Sequence, residues 1–172
     1  MKFNSHLVKH ETEILSISLG IPESYKQKCI NELYRLGDSQ NHTTNLQSQM
    51  TTWQIWKESK VFNPLLNNIE KSAKNLECFT SISDFYLINA WGSIYRTNDF
   101  SKPHHHSPAL ISFVYYLKCD KNSAPLIFDS CNYKIHPKED LLILFPAFLI
   151  HSVPSHQSND RIIIAGNFLA NK

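Results

Sequence analysis

From Asp84 onward the chain is built from short runs of β-branched, aliphatic and aromatic residues: Phe85–Tyr95, Leu110–Leu117, Pro125–Phe128, Leu141–Phe145, Leu149–Val153 and Arg161–Phe168. Turn-forming residues separate several of them, as at Thr97-Asn98-Asp99, Asp120-Lys121-Asn122-Ser123 and Ser155 to Asp160. Runs of this length and composition are strands, and so many in succession close only as a sandwich or barrel.

The first part of the chain follows a different rule. Leu15, Ile17 and Leu19 alternate as in a short strand that Gly20 ends. Pro22 and Glu23 suit a helix start. Tyr25, Cys29, Ile30, Leu33 and Leu36 then recur at helical spacing, with Gly37 as the C-cap. Residues 38–52 are polar and turn-rich and read as a loop. A second helical pattern runs through Val61, Phe62, Leu65, Leu66, Ile69, Ala73 and Leu76. The expected fold is α+β and mainly β: a jelly roll, with helices packed on one face. We expect one domain over 1–172, helical to about residue 80 and β-rich beyond it.

Composition narrows the function classes. The chain is 42% hydrophobic and 19% charged, as in a folded globular protein. A net charge of +2 with no basic run gives no electrostatic footprint for nucleic acid. No stretch approaches the roughly 20 apolar residues of a membrane helix. The N-terminus carries no secretory signature, and Cys29, Cys78, Cys119 and Cys131 show no CxxC spacing. Reduced thiols and cytoplasmic residence are therefore expected (host cytoplasm, for a phage-encoded chain).

The chemistry concentrates in the histidines. His104 and His106 stand two apart, so on a strand their imidazoles share a face and His105 turns away. His151 lies in a later strand-like run and can close a three-nitrogen site, with His156 as a competitor. Three neutral imidazoles suit a mononuclear iron site with positions left open. Arg161 opens an otherwise apolar strand. A buried guanidinium needs an anion, and its planar fork matches a carboxylate. Asn167 is polar within the same strand and needs a partner if buried, which a bound co-substrate or substrate could supply.

The segment Ile94 to Phe168 resembles the iron(II)/2-oxoglutarate-dependent oxygenases, closest to a branch of phage and bacterial enzymes and more distantly to the prolyl hydroxylases. The matching pieces are Tyr95, HHH at 104–106, SFVYYL at 112–117, PLIF at 125–128, LLILFPAFLIHSV at 141–153 and RIIIAGNF at 161–168. The resemblance implies a double-stranded β-helix core, cupin-like, with His104, His106 and His151 as metal ligands. Most members carry a carboxylate where His106 stands; this branch has HxH. Arg161, ten residues after His151, and Tyr116 are implied to bind the distal carboxylate of 2-oxoglutarate, and Tyr95 to line that pocket. The implied cofactors are Fe(II), 2-oxoglutarate and O2, with ascorbate stimulatory, and the implied reaction is hydroxylation of a protein side chain or metabolite. Two other classes fit the residues: a cupin-type metal protein that does not use 2-oxoglutarate, and a non-catalytic jelly-roll module such as a phage accessory protein.

Overall fold

The computed structural model describes residues 11–38, 44–75, 84–155, 158 and 161–171. Leu76, Cys78, His156 and Asp160 lie outside the described residues.

Helix α1 (Glu23–Leu36) buries Cys29, Ile30 and Leu33 along one face. Gly37 ends it at φ +68°, with its N–H returning to Leu33 O at 3.2 Å. That left-handed backbone is cheap only for glycine. Helix α3 (Asn63–Lys74) buries Leu65, Leu66, Ile69 and Ala73. The sequence pattern starts this helix at Val61, but Lys60–Phe62 is a 3₁₀ turn. Pro64, in the first turn of α3, has no N–H to extend an α-helical ladder backwards. A single helical turn, α2 (Ile55–Glu58), precedes it and buries only Ile55.

Eleven strands form two antiparallel sheets among the described residues. The major sheet has the order β1 (Leu15–Ser18), β9 (Leu141–Pro146), β6 (Ile111–Lys118), β11 (Arg161–Ala170), β4 (Phe85–Tyr95), β3 (Gln49–Met50). The minor sheet has the order β2 (Leu46–Gln47), β5 (Phe100–His104), β10 (His151–Val153), β7 (Leu126–Phe128), β8 (Tyr133–Ile135). This is the expected mainly-β jelly roll with helices on one face.

Two differences from the sequence reading stand out. The segment 38–52, expected as a loop, contains β2 and β3. These are two-residue edge strands held by β5 and β4, too short to show a period of their own. The segment 100–104 is a strand as well. Lys102-Pro103 disguises it, and the β5–β10 ladder tolerates the proline because its register shifts between the His151↔His104 and Val153↔Ser101 pairs.

Two apolar clusters divide the interior. One lies between the helices and the outer face of the major sheet, where Cys29, Leu33, Phe62, Leu65 and Ile69 meet Phe85, Ile111, Tyr115, Ile162 and Phe168. The other lies between the two sheets and holds Trp91, Tyr95, Tyr116, Phe128, Phe145 and Ile163. Asp140, at the turn into β9, joins the N-terminal segment to the major sheet. It accepts from Gly20 N at 2.8 Å, Ile21 N at 3.0 Å, the Tyr115 hydroxyl at 2.9 Å and the Ser18 hydroxyl.

Candidate metal centre

The face of the major sheet that looks into the sandwich is a grid of cross-strand rows. Its first row pairs Tyr95 with Arg161. The second is Ser93–Ile163–Tyr116, the third Trp91–Ala165–Val114–Ile143, and the fourth Asn89–Asn167–Ser112–Phe145. The minor sheet lies opposite, and His104 and His151 are directly paired across β5 and β10.

His104, His106 and His151 converge. Their ring centroids stand 4.4 to 5.1 Å apart, and one nitrogen from each lies within 4.8 Å of the others. The convergence expected from strand alternation is present, but its cause differs. His104 is the last residue of β5, and His106 sits beyond it in the connection to β6. The His106 backbone is fixed by its N–H to Ala147 O at 2.8 Å, so the β9–β10 turn positions this imidazole rather than a pleat. His105 is exposed, and its Nδ1 accepts from Ser107 N at 3.2 Å.

Backbone carbonyls select the ring tautomers. His104 Nδ1 meets Lys102 O at 2.7 Å and His151 Nδ1 meets Leu149 O at 2.9 Å. A carbonyl only accepts, so each Nδ1 carries the proton and donates, which leaves each Nε2 lone pair free as a ligand. Burial, reinforced by the neighbouring imidazoles, lowers His106 to about 3 and His151 to about 4. His104 is also lowered, chiefly by burial. Neutral imidazole is the form that binds a metal.

Arg161 is fully buried, at 0% exposure. Its guanidinium stacks over Tyr95 at 4.6 Å and Tyr116 at 5.2 Å, and Nη2 donates to the Tyr116 hydroxyl at 3.4 Å. Nε and Nη1 have no hydrogen-bond partner, and the side chain forms no ion pair among the described residues. Burial raises both tyrosines, so their hydroxyls stay neutral and able to donate. Two unpartnered donors on a buried cation are chemically suited to an anion.

The three histidines, Arg161 and Tyr95 line one cleft, with Trp91, Phe145, Leu126 and Ile163 among its walls. Tyr116 abuts it through Arg161. Asn167 does not join them. It stands three rows from Arg161, accepting from Ser112 Oγ at 2.7 Å and donating to Asn89 Oδ1 at 2.8 Å. The sequence reading expects a bound co-substrate or substrate to supply its partner; in the structure, cross-strand neighbours supply partners to its amide. Trp91 is the lining residue that reading missed. The signal was available: it stands four residues before Tyr95 on one strand, hence on the same face.

No known family's sequence profile matches the chain, and no curated protein matches its sequence. Solved structures do match. The viral collagen prolyl hydroxylase of Paramecium Bursaria Chlorella virus-1, in complex with 2OG, is 17% identical, covers 92% of this chain and 96% of its own, and has a TM-score of 0.69. A Pseudomonas putida prolyl-4-hydroxylase is 17% identical over 92% and 93%, with a TM-score of 0.71. HygX from Streptomyces hygroscopicus, with nickel and 2-oxoglutarate bound, is 11% identical over 93% and 84%, also at 0.71. The chain therefore has the double-stranded β-helix fold of these enzymes, with three converging histidines and a buried arginine between its sheets.

Proposed function

We propose that this chain is an Fe(II)- and 2-oxoglutarate-dependent dioxygenase that hydroxylates a C–H bond of its substrate. The observation that carries the reading is Arg161: a fully buried cation with two unpartnered donors, lining the same cleft as three neutral imidazoles. A cupin-type site without a dicarboxylate would leave that cation unmatched.

His104, His106 and His151 would hold the metal. Bound iron, with dioxygen and 2-oxoglutarate, supplies the oxidising chemistry, in which the co-substrate is decarboxylated to succinate. The chain's own residues do the rest. Arg161 and the Tyr116 hydroxyl receive the far carboxylate, and Tyr95 covers the guanidinium face. Phe145 and Trp91 wall the site from water, which strengthens each polar contact inside. Because all three ligands are neutral, the metal's charge is balanced by the co-substrate rather than by the protein. The donor set also accepts Ni(II), Co(II) or Zn(II), and HygX has been crystallised with nickel.

Succinate release from 2-oxoglutarate by the purified protein with Fe(II) and ascorbate tests the activity, and an anaerobic visible charge-transfer band tests the complex. Absence of both, with no stoichiometric metal, overturns the proposal.

A further inference from the structure

The grid of rows extends beyond the metal cluster. From Arg161 to Asn167 is six residues along β11, about 20 Å at roughly 3.3 Å per residue. The cation stands at the start of this strand and the Asn89–Asn167–Ser112 row lies three rows further along. The histidines lie between them: the His106 ring is 5.8 Å from Trp91, in the third row. Arg161 and the metal account for the near end. The far end has no role in the proposed cofactor chemistry.

One buried donor on that far side lacks an acceptor among the described residues. Trp91 is 3% exposed and its Nε1 has no partner. A buried indole N–H normally finds one. Its ring is held from behind by Trp53, edge to face at 4.8 Å, so it cannot swing outward without breaking that contact. Two residues away on the same strand face, the half-buried Asn89 carboxamide accepts from Asn167 through Oδ1. The cleft walls beside this donor are apolar: Phe145, Val114, Ala165 and Leu126. Apart from Arg161, no ionised side chain lines the cleft, the three imidazoles being neutral.

We infer that the group this site acts on is neutral and carries a hydrogen-bond acceptor, an amide carbonyl flanked by apolar carbon, with the Trp91 indole N–H as its anchor. The inference rests on the proposed function, because it takes Arg161 and the histidines as occupied by cofactor. Charged groups are rejected on physical grounds. An ionised substrate would lose its water against apolar walls and meet no counter-charge there. A carbonyl, by contrast, satisfies a donor that is otherwise buried and unmatched.

The test is nuclear magnetic resonance of the indole N–H signals in 15N-labelled, Zn(II)-loaded protein with saturating 2-oxoglutarate. Trp91→Phe, which keeps an aromatic ring, identifies the Trp91 signal by its disappearance. The probes are N-methylacetamide, a blocked alanine tetrapeptide, acetate and methylammonium. Both amides should move the Trp91 signal saturably and the two ions should not. In Trp91→Phe, amide binding followed at the remaining indole and backbone signals should weaken about five-fold, the loss of one neutral hydrogen bond. Tighter binding of the tetrapeptide assigns the acceptor to a polypeptide, and equal binding assigns it to a small molecule. A Trp91 signal indifferent to both amides, or moved as strongly by either ion, overturns the inference. Failure of 2-oxoglutarate to bind in the same samples strikes the cofactor reading alone, since the amide titration of the zinc form still reports on Trp91.

Discussion

Arg161→Met separates a binding residue from a structural one. The guanidinium is fully buried, and its Nε and Nη1 have no partner among the described residues. Each unmatched donor costs about 1–3 kcal/mol. The stacking on Tyr95 and Tyr116 returns roughly 1–2 kcal/mol per ring. The balance leaves the ligand-free fold near neutral, or strained by up to about 4 kcal/mol, the range found when buried ions give way to apolar residues of similar volume. A central value of about 2 kcal/mol corresponds to a rise of about 4–8 °C in Tm for a chain of this size. Ligand reverses the comparison. At a hundred-fold excess over Kd, 2-oxoglutarate should stabilise the wild-type protein by about 2.7 kcal/mol and the variant not at all. The assay is thermal unfolding of both proteins in the same metal state, with and without 2-oxoglutarate. Two results would refute the reasoning. One is a ligand-free variant several degrees below wild type, which would mean the cation is already satisfied. The other is an undiminished ligand shift.

The remaining predictions are narrower. His151→Ala should abolish stoichiometric metal binding and His105→Ala should retain it, as read by metal analysis after dialysis. His106→Asp should still bind metal, now with a charged ligand, and should shift preference away from Ni(II) toward harder cations in competition dialysis. Stability of the metal-free protein should fall as pH drops from about 6.5 to about 4. Unfolded histidines take up protons there, whereas His151, held to about 4, and His106, held to about 3, do not. His151 alone contributes a slope of up to about 1.4 kcal/mol per pH unit, and denaturant unfolding of His151→Gln should show a flatter profile. Gly166→Ala should cost about 1–3 kcal/mol, because its Cβ would lie 2.5 Å from the Asn89 carbonyl oxygen and 2.7 Å from the Phe113 ring. Gly92→Ala meets the flexible end of Leu33 and should cost less; paired Tm measurements decide.

What could be read from residues alone followed the strength of the local pattern. β4, β9 and β11 are rich in aliphatic and aromatic residues, and their observed bounds match the apolar runs to within two residues. β2 and β3 were invisible because two residues carry no period and pairing is supplied by distant neighbours. β5 was hidden by Lys102 and Pro103, although it carries His104. The histidine cluster shows the same division. Alternation anticipates that His104 and His106 converge, yet a contact to the backbone of Ala147, 41 positions away in sequence (147 − 106), fixes His106. The partners of Asn167 were hidden for a related reason. Its polarity was legible, but its partners, Ser112 and Asn89, are set by register across three strands. Trp91 was overlooked although strand periodicity places it beside Tyr95 and Ser93.

The direct opposition of His104 and His151 on neighbouring strands bears on how the molecule holds itself together. β10 is three residues long and, among the described residues, is the one strand joining β5 and β2 to β7 and β8. A metal ion held by that pair would act as a clasp across the seam of the smaller sheet. Its loss would be felt there first, as faster amide exchange around Ser152 and Val153. The long ladder from Arg161↔Tyr95 to Ala170↔Phe85 would keep its protection. Cation supply would then set the rigidity of half of the β-helix as well as its chemistry, and a metal-starved cell would hold a protein with one firm wall and one loose one.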